Sequence, residues 1–181
     1  MKPHRLESPT YSFKEEDAEK ASKEWGANCG PGALATMTGL TLAEVHPHIP
    51  KFDERKYTSP SMMKQALESL GVSWHEDVPR LPETGAVDNS PTAHTLTTYG
   101  LVRIQWEGPW FGKFAYFRSH WIGAMFWSGN TYVFDINSGW MLQARWAQEI
   151  VPILTKGEKR ATGGWHATHR WELDFNEKQI K

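Results

Sequence analysis

The uneven distribution of tryptophan is the feature that most restricts what this chain can fold into. The 181 residues include ten tryptophans, of which only Trp25 and Trp74 lie in the first hundred positions. Large aromatic side chains favour β-strands, where they pack on a half-buried surface. The sequence therefore predicts an α+β protein, mainly helical over residues 1–95 and rich in sheet over 96–181. We expect one domain, because a domain usually takes about 100–200 residues.

Capping residues and glycine stops predict the helices of the first part. Residues 29–38 carry no charge, Pro31 stands in the first turn, and Gly39 follows the last one. Proline is favoured in a first helical turn and glycine just after a helix, so a buried helix is expected over Cys29–Thr38. Three further helices are expected in this part, over residues 13–22, from the capping box of Thr41 and Glu44, and over residues 61–70.

Alternating apolar and polar residues predict the strands. The best signal is a hairpin in which residues 120–127 and 131–136 flank the turn Ser-Gly-Asn at 128–130. Three further strands are expected, over residues 72–76, 99–107 and 165–175, with loops over 78–95 and 108–119. The segment 143–154 is expected to be helical until Pro152 interrupts it.

The charge balance argues against several classes of protein. Twenty Lys and Arg against 21 Asp and Glu give a net charge of -1, without the basic surplus of a protein that grips nucleic acid through phosphates. The longest apolar stretch, residues 121–127, is much shorter than the ~20 residues of a membrane-spanning helix. The first 24 residues are charged and contain no apolar segment typical of a secretory signal. We therefore expect a cytoplasmic protein with no membrane partner. There is no strong signal for nucleic-acid binding, although a local basic patch is compatible with this balance.

The chain contains a single cysteine, Cys29, which excludes a disulfide or a cysteine-based zinc site within one chain. A lone cysteine is usually a small buried apolar residue. This one is expected at the start of a helix, where unpaired N–H groups and the helix dipole favour an anion and lower the pKa of a thiol. Flanking Gly30 and Gly32 leave room for a substrate carbonyl. These features make Cys29 a candidate nucleophile.

A nucleophilic thiolate needs a base that is itself oriented by a third group. His120 is the best partner, because it stands at the start of a predicted strand and can project into a cleft. The returning arm of the hairpin carries Asp135 and Asn137 on one face, since alternate residues of a strand share a face. Either residue can reach the far nitrogen of the ring, and both can also begin a turn.

Three segments together resemble a known family. They are Asn-Cys-Gly-Pro-Gly-Ala-Leu-Ala at 28–35, His-Trp-Ile-Gly-Ala at 120–124 and Tyr-Val-Phe-Asp at 132–135. They are similar to segments of the papain-like cysteine peptidase superfamily, most of all the bacteriocin-processing double-glycine peptidases. The resemblance implies a papain-like fold, with the helix of the cysteine packed on an antiparallel sheet. It also implies Cys29 as nucleophile, His120 as general base and acid, and Asp135 as orienter.

The activity implied is that of a hydrolase, which cleaves a peptide, isopeptide or related amide bond through a thioester on Cys29. Its partner would be a peptide or protein substrate, and neither a cofactor nor a metal is expected. One departure from the family is Lys23, which stands where a glutamine usually donates to the oxyanion. Losing one such donor slows acyl transfer about a hundredfold or more. The expected substitutes are the Asn28 side chain, the Trp25 indole N–H and the Cys29 main-chain N–H.

Two other hypotheses compete with the hydrolase. The missing glutamine favours a catalytically inactive papain-like protein that binds a partner protein through the same cleft. The clustering of tryptophans favours a binding module lined by aromatic residues, in which Cys29 is merely buried. The sequence does not reveal the oligomeric state.

Overall fold

One antiparallel sheet of six strands organises the part of the chain that the structure describes, which is residues 1–10, 13–26, 28–76, 96–106, 119–155 and 165–175 of a computed structural model. The order of the strands across the sheet is β1-β6-β2-β3-β4-β5. The strands are β1 Ser73–Glu76, β2 Tyr99–Trp106, β3 Ser119–Trp127, β4 Asn130–Asp135, β5 Gly139–Leu142 and β6 Trp165–Asp174. The mixed α+β class expected from the sequence is therefore confirmed.

Helices cover both faces of this sheet. Those that precede the sheet are α1 Glu15–Trp25, α2 Cys29–Thr38, α3 Leu42–Val45, α4 Phe52–Arg55 and α5 Pro60–Leu70, with a 3₁₀ turn at His46–His48. Two short helices follow β5, namely α6 Gln143–Glu149 and α7 Val151–Thr155. Within the described ranges, no helix combines the length and apolarity needed to cross a bilayer.

Two apolar cores form because neighbouring residues of a strand point to opposite faces of the sheet. On β3, Trp121 packs into the core shared with α1–α5, whereas Ile122 packs into the core shared with α6 and α7. On β2, Leu101 and Val102 divide in the same way. The central strands are thus buried on both sides, and Arg103 is the one residue of β2 that is only partly buried.

Helix α2 lies close against β3, and glycine makes this approach possible. A methyl group on Gly123 would fall 2.6 Å from the sulfur of Met37 in α2. A methyl group on Gly30, in the first turn of α2, would fall 2.5 Å from Cβ of Thr58. Both separations are much shorter than a van der Waals contact, so only glycine fits at these positions. Gly123 thus lets the end of α2 lie against β3, and Gly30 lets the start of α2 lie against Thr58.

Strong local signals predicted their elements correctly. Helix α2 has the predicted bounds, and Gly39 ends it in the left-handed conformation. Thr41 and Glu44 form the predicted capping box. The hairpin of β3 and β4 lies where it was expected, with Gly129 in the turn.

Other predictions need correction. The first helix covers Glu15–Trp25 instead of residues 13–22, because the Asp17 carboxylate caps its start and Gly26 ends it in the left-handed conformation. Helix α4 and strand β5 were not predicted, since segments of four residues carry no clear periodicity. Pro152 does interrupt the predicted helix 143–154, but it stands near the start of α7.

Elements of the other kind lie on both sides of residue 95, as the sequence predicted. Strand β1 belongs to the helical part of the sequence and yet pairs with β6, and α6 and α7 lie within the sheet-rich part. Most of the loops predicted over 78–95 and 108–119 lies outside the described residues.

The contact between Gly30 and Thr58 predicts a loss of stability in Gly30→Ala. In an uncrowded helix this change stabilises by up to about 1 kcal/mol, but overpacking here should lower the free energy of unfolding by about 1–3 kcal/mol. Urea denaturation measures the effect. The matched background is Thr58→Gly, which removes the opposing Cβ and should abolish the loss caused by Gly30→Ala. Equal losses in both backgrounds would show that Thr58 does not restrict this position.

Candidate active site

Cys29 is the first residue of α2, where the sequence predicted it. The first N–H groups of a helix have no acceptor within the helix. In α2 the first helical hydrogen bond is donated by Gly32 to the Asn28 carbonyl, 2.8 Å away. Pro31 has no N–H, so the main-chain N–H groups of Cys29 and Gly30 are the ones left for an anion. Cys29 as a residue is partly exposed, while its thiol is surrounded by His120 and the main chain of Trp121.

His120 is the second residue of β3, and its buried ring lies between the other two predicted residues. Its Nε2 lies 3.1 Å from Oδ2 of Asp135, at an angle outside that of a well-aligned hydrogen bond. The ring also forms a hydrogen bond with the Cys29 thiol. Since Nε2 faces Asp135, Nδ1 is the nitrogen that faces the sulfur. The three residues therefore lie in the order that a nucleophile, its base and an orienting carboxylate require.

Asp135 is fully buried at the end of β4, and both of its oxygens accept hydrogen bonds. The indole Nε1 of Trp146 in α6 donates to Oδ2 at 3.0 Å. Oδ1 accepts from the main-chain N–H and from the side-chain amide of Asn137, both at 3.0 Å. Of the two orienters left open by the sequence, Asp135 thus contacts His120, while Asn137 holds Asp135. Asp135 and Asn137 thus form the turn after β4 and also belong to the site.

The charges of this cluster support one another. Burial alone would raise the pKa of the Cys29 thiol, but the positive charge of His120, its hydrogen bond and the main-chain N–H of Trp121 lower it below the ordinary value. Burial alone would lower the pKa of His120, but the charges of Asp135 and of the Cys29 thiolate raise it well above the ordinary value. Both shifts favour a thiolate–imidazolium pair at neutral pH.

The buried carboxylate completes this pair. Burial alone would raise the pKa of Asp135, but the charge of His120 and the donors from Asn137 and Trp146 hold it well below its usual range. Asp135 therefore stays negative and keeps His120 protonated. Its charge also opposes the ionisation of Cys29 slightly, although the nearer imidazolium outweighs that effect.

The residues predicted to stabilise an oxyanion have other contacts. The Asn28 side-chain amide donates to the Ala18 carbonyl of α1 at 3.1 Å. The ring of Trp25 stacks on His46 with 4.2 Å between centroids and meets Phe52 edge-on. These contacts tie α1 to α2 and to the following helices. An oxyanion role for either side chain stays a prediction, and the main-chain N–H groups at the start of α2 are the best placed donors.

Lys23, which stands where the family usually has glutamine, lies on the exposed face of α1. Its ammonium pairs with Glu19 at 3.7 Å. Glu24, which would disfavour a thiolate if it lay close to one, is also exposed and pairs with Lys20 at 3.8 Å. Neither side chain belongs to the cluster around Cys29.

Three contributors to the site were missed by the sequence reasoning. The indole of Trp146 binds Asp135 although eleven residues separate them, and no local pattern connects the two. The main-chain N–H of Trp121 donates to the sulfur of Cys29, which only the packing of α2 on β3 brings about. Arg103 lies opposite Trp121 on β2, and its charge interacts with the Cys29 thiolate. Arg103 was missed because only the register between β2 and β3 places it opposite Trp121.

Neither a protein-family model, a curated protein nor a solved structure matches this chain.

The hydrogen bond from Trp146 to Asp135 predicts a loss of stability in Trp146→Phe. Leaving a buried carboxylate with one donor fewer should lower the free energy of unfolding by about 1–3 kcal/mol at pH 7. The control is Trp140→Phe, which removes an indole bond of 2.7 Å to the Thr10 carbonyl at an exposed position and should have a smaller effect.

The loss in Trp146→Phe should depend on pH. The native pKa of Asp135 is depressed, so its stabilising contribution is complete above the unfolded value of about 4 and is lost as pH falls toward the native value. The excess loss over Trp140→Phe should therefore shrink between pH 7 and pH 3, as measured by chemical denaturation. An excess that is equal at both pH values would mean that Trp146 matters through packing alone.

Proposed function

We propose that this protein is a cysteine hydrolase of the papain-like kind, which cleaves a peptide, isopeptide or related amide bond. The observation that carries the proposal is the contact of the Cys29 thiol with His120, whose Nε2 lies 3.1 Å from the buried carboxylate of Asp135. The packing of the cysteine helix on an antiparallel sheet supports the papain-like assignment. A single cysteine that must remain a thiol suits the reducing cytoplasm.

The reaction follows from the placement of these groups. The Cys29 thiolate attacks the carbonyl carbon of the amide, and the electron pair of the C=O bond moves onto oxygen. The N–H groups of Cys29 and Gly30 stabilise that oxyanion. As the intermediate collapses, the C–N bond breaks and imidazolium of His120 gives its proton to the leaving amine, which leaves a thioester on Cys29.

Hydrolysis of the thioester uses the same residues in reverse. Neutral His120 removes a proton from water, and the resulting hydroxide attacks the thioester carbonyl. The C–S bond then breaks, which releases a carboxylic acid and regenerates the thiolate beside a protonated His120. Asp135 contributes by holding the ring in place and by stabilising its positive form, as the carboxylate of a catalytic triad does.

Alkylation of Cys29 by iodoacetamide tests the activated pair. Because the pKa of the thiol is lowered and that of His120 is raised, the rate should rise below pH 7, whereas an ordinary thiol reacts near its pKa of about 8.5. In His120→Ala the alkylation rate should rise only at higher pH, near the ordinary pKa of a thiol. His48→Ala, which changes an exposed histidine bonded to Ser69, is the control and should leave the profile unchanged.

Two results of this titration would contradict the proposal. A profile that rises only near the ordinary thiol pKa, with or without His120, would remove the activated pair. An absence of alkylation without denaturant would favour the binding module in which Cys29 is merely buried.

The inactive binding protein is the second candidate, because Lys23 on the exposed face of α1 supplies no oxyanion donor to the site. A library of peptides and isopeptides, screened with the wild-type protein and Cys29→Ala, separates the two candidates. Turnover that disappears in Cys29→Ala supports the hydrolase. Binding of a peptide by both proteins without turnover, despite an activated thiol, supports the binding protein.

A further inference from the structure

Arg103 lies beside the reacting sulfur without belonging to the triad. It stands on β2 directly opposite Trp121 of β3. Trp121 follows His120 in the chain, and its main-chain N–H donates to the sulfur of Cys29. Opposite residues of an antiparallel pair point to the same face of the sheet, so Arg103 shares the face of Trp121, toward α2. The guanidinium reaches toward Thr168 of β6, and its charge also interacts with the Cys29 thiolate.

The guanidinium of Arg103 has neutral partners. Its Nη1 donates to the Thr168 hydroxyl at 3.0 Å and lies 3.5 Å from the Gln105 side-chain oxygen. Across the part of the chain that the structure describes, no carboxylate forms an ion pair with Arg103. The side chain is half-buried, and the anion with which its charge interacts is the Cys29 thiolate. The guanidinium therefore has no carboxylate of its own among the described residues.

The surroundings of Arg103 add positive potential. His169 lies opposite Arg103 on β6, and Lys64 of α5 places its ammonium 5.5 Å from the ring centre of Trp171, two residues further along β6. The pKa of His169 is lowered to about 4, first by burial and then by the charges of Arg103 and Lys64. The charge of exposed Glu76 acts in the opposite direction. The histidine is therefore neutral at pH 7, so the positive charges of this region are those of Arg103 and Lys64.

We propose that the guanidinium of Arg103 is a substrate-binding site for a carboxylate beside the scissile bond. Arginine suits this task because its planar fork matches the two oxygens of a carboxylate. The ligand is the carboxylate of an acidic side chain or of a peptide C-terminus. The proposal rests on the proposed function, since it assigns a substrate class to the same site.

The test compares two alkylating agents of similar size, anionic iodoacetate and neutral iodoacetamide. Both rate constants for Cys29 are divided by those for N-acetylcysteine, which removes the intrinsic difference between the agents. The wild-type ratio of iodoacetate to iodoacetamide should exceed one. In Arg103→Gln this ratio should fall about tenfold, the effect expected from losing one charged hydrogen bond. Arg103→Lys, which keeps the charge but loses the fork, should give an intermediate ratio.

Arg145→Gln is the matched control, because it makes the same change of charge at an exposed residue of α6 that pairs with Glu149. Its ratio should equal that of the wild type. Circular dichroism verifies that each variant is folded. If Arg103→Gln does not fold, the ratio measured for Arg103→Lys decides the test. A ratio that is unaffected by both changes at Arg103 would overturn the proposal. So would a parallel fall of both rates, since Arg103 would then act on the thiolate or on the fold.

The outcome is distinguishable from failure of the proposed function. The activated pair is judged by the dependence of the iodoacetamide pH profile on His120, and the carboxylate site by the ratio of the two alkylation rates at one pH.

Protection of Cys29 from iodoacetamide then separates the two sources of carboxylate. Peptides with a free C-terminus are compared with amidated peptides that carry an internal Asp or Glu. Protection by neither set, at concentrations where the ratio test succeeds, would restrict the site to small anions and overturn the substrate assignment.

Discussion

The buried carboxylate of Asp135 is the group on which the candidate site depends. Taking a charge out of water is unfavourable unless it is paired and hydrogen-bonded. Asp135 meets both conditions through His120 on β3, Asn137 in the following turn and Trp146 on α6. Trp146 packs in the core between the sheet and α6–α7, whereas α2 lies on the opposite face. Asp135, which bonds Trp146 and contacts His120, therefore connects the two layers of helices. The thiolate pair at Cys29 is thus supported from both sides of the sheet.

The parts of this arrangement that could be predicted from the sequence have local causes. Helix α2 is delimited by Pro31 and Gly39, which act through the backbone within a few residues. The hairpin of β3 and β4 is closed by a short turn with Gly129 in the left-handed conformation, so the positions of His120 and Asp135 followed together. The candidate residues were found because each stands at the end of an element with a strong local signal.

What could not be predicted depends on contacts between distant segments. The strand pattern alone does not distinguish Asp135 from Asn137, because both lie on the same face. The structure shows that Asp135, at the end of β4, meets the ring. The bond from Trp146 requires β5 to turn back first, and β5 is too short to be recognised. The place of Arg103 beside the site depends on the register that sets it opposite Trp121. Such registers are fixed by packing over the whole sheet and leave no trace in a short window of sequence.

The position of β6 in the sheet has a consequence for how the chain folds. This strand is the last along the sequence, yet it lies between β1 and β2, and Ser73 pairs with Asp174 across about a hundred residues. A ribosome that has made Cys29, His120 and Asp135 has therefore not yet made the strand that joins β1 to β2. Contacts of such long range slow folding. Cys29, His120 and Asp135 are thus synthesised early, but the sheet around them is completed only when β6, the last described strand, is made.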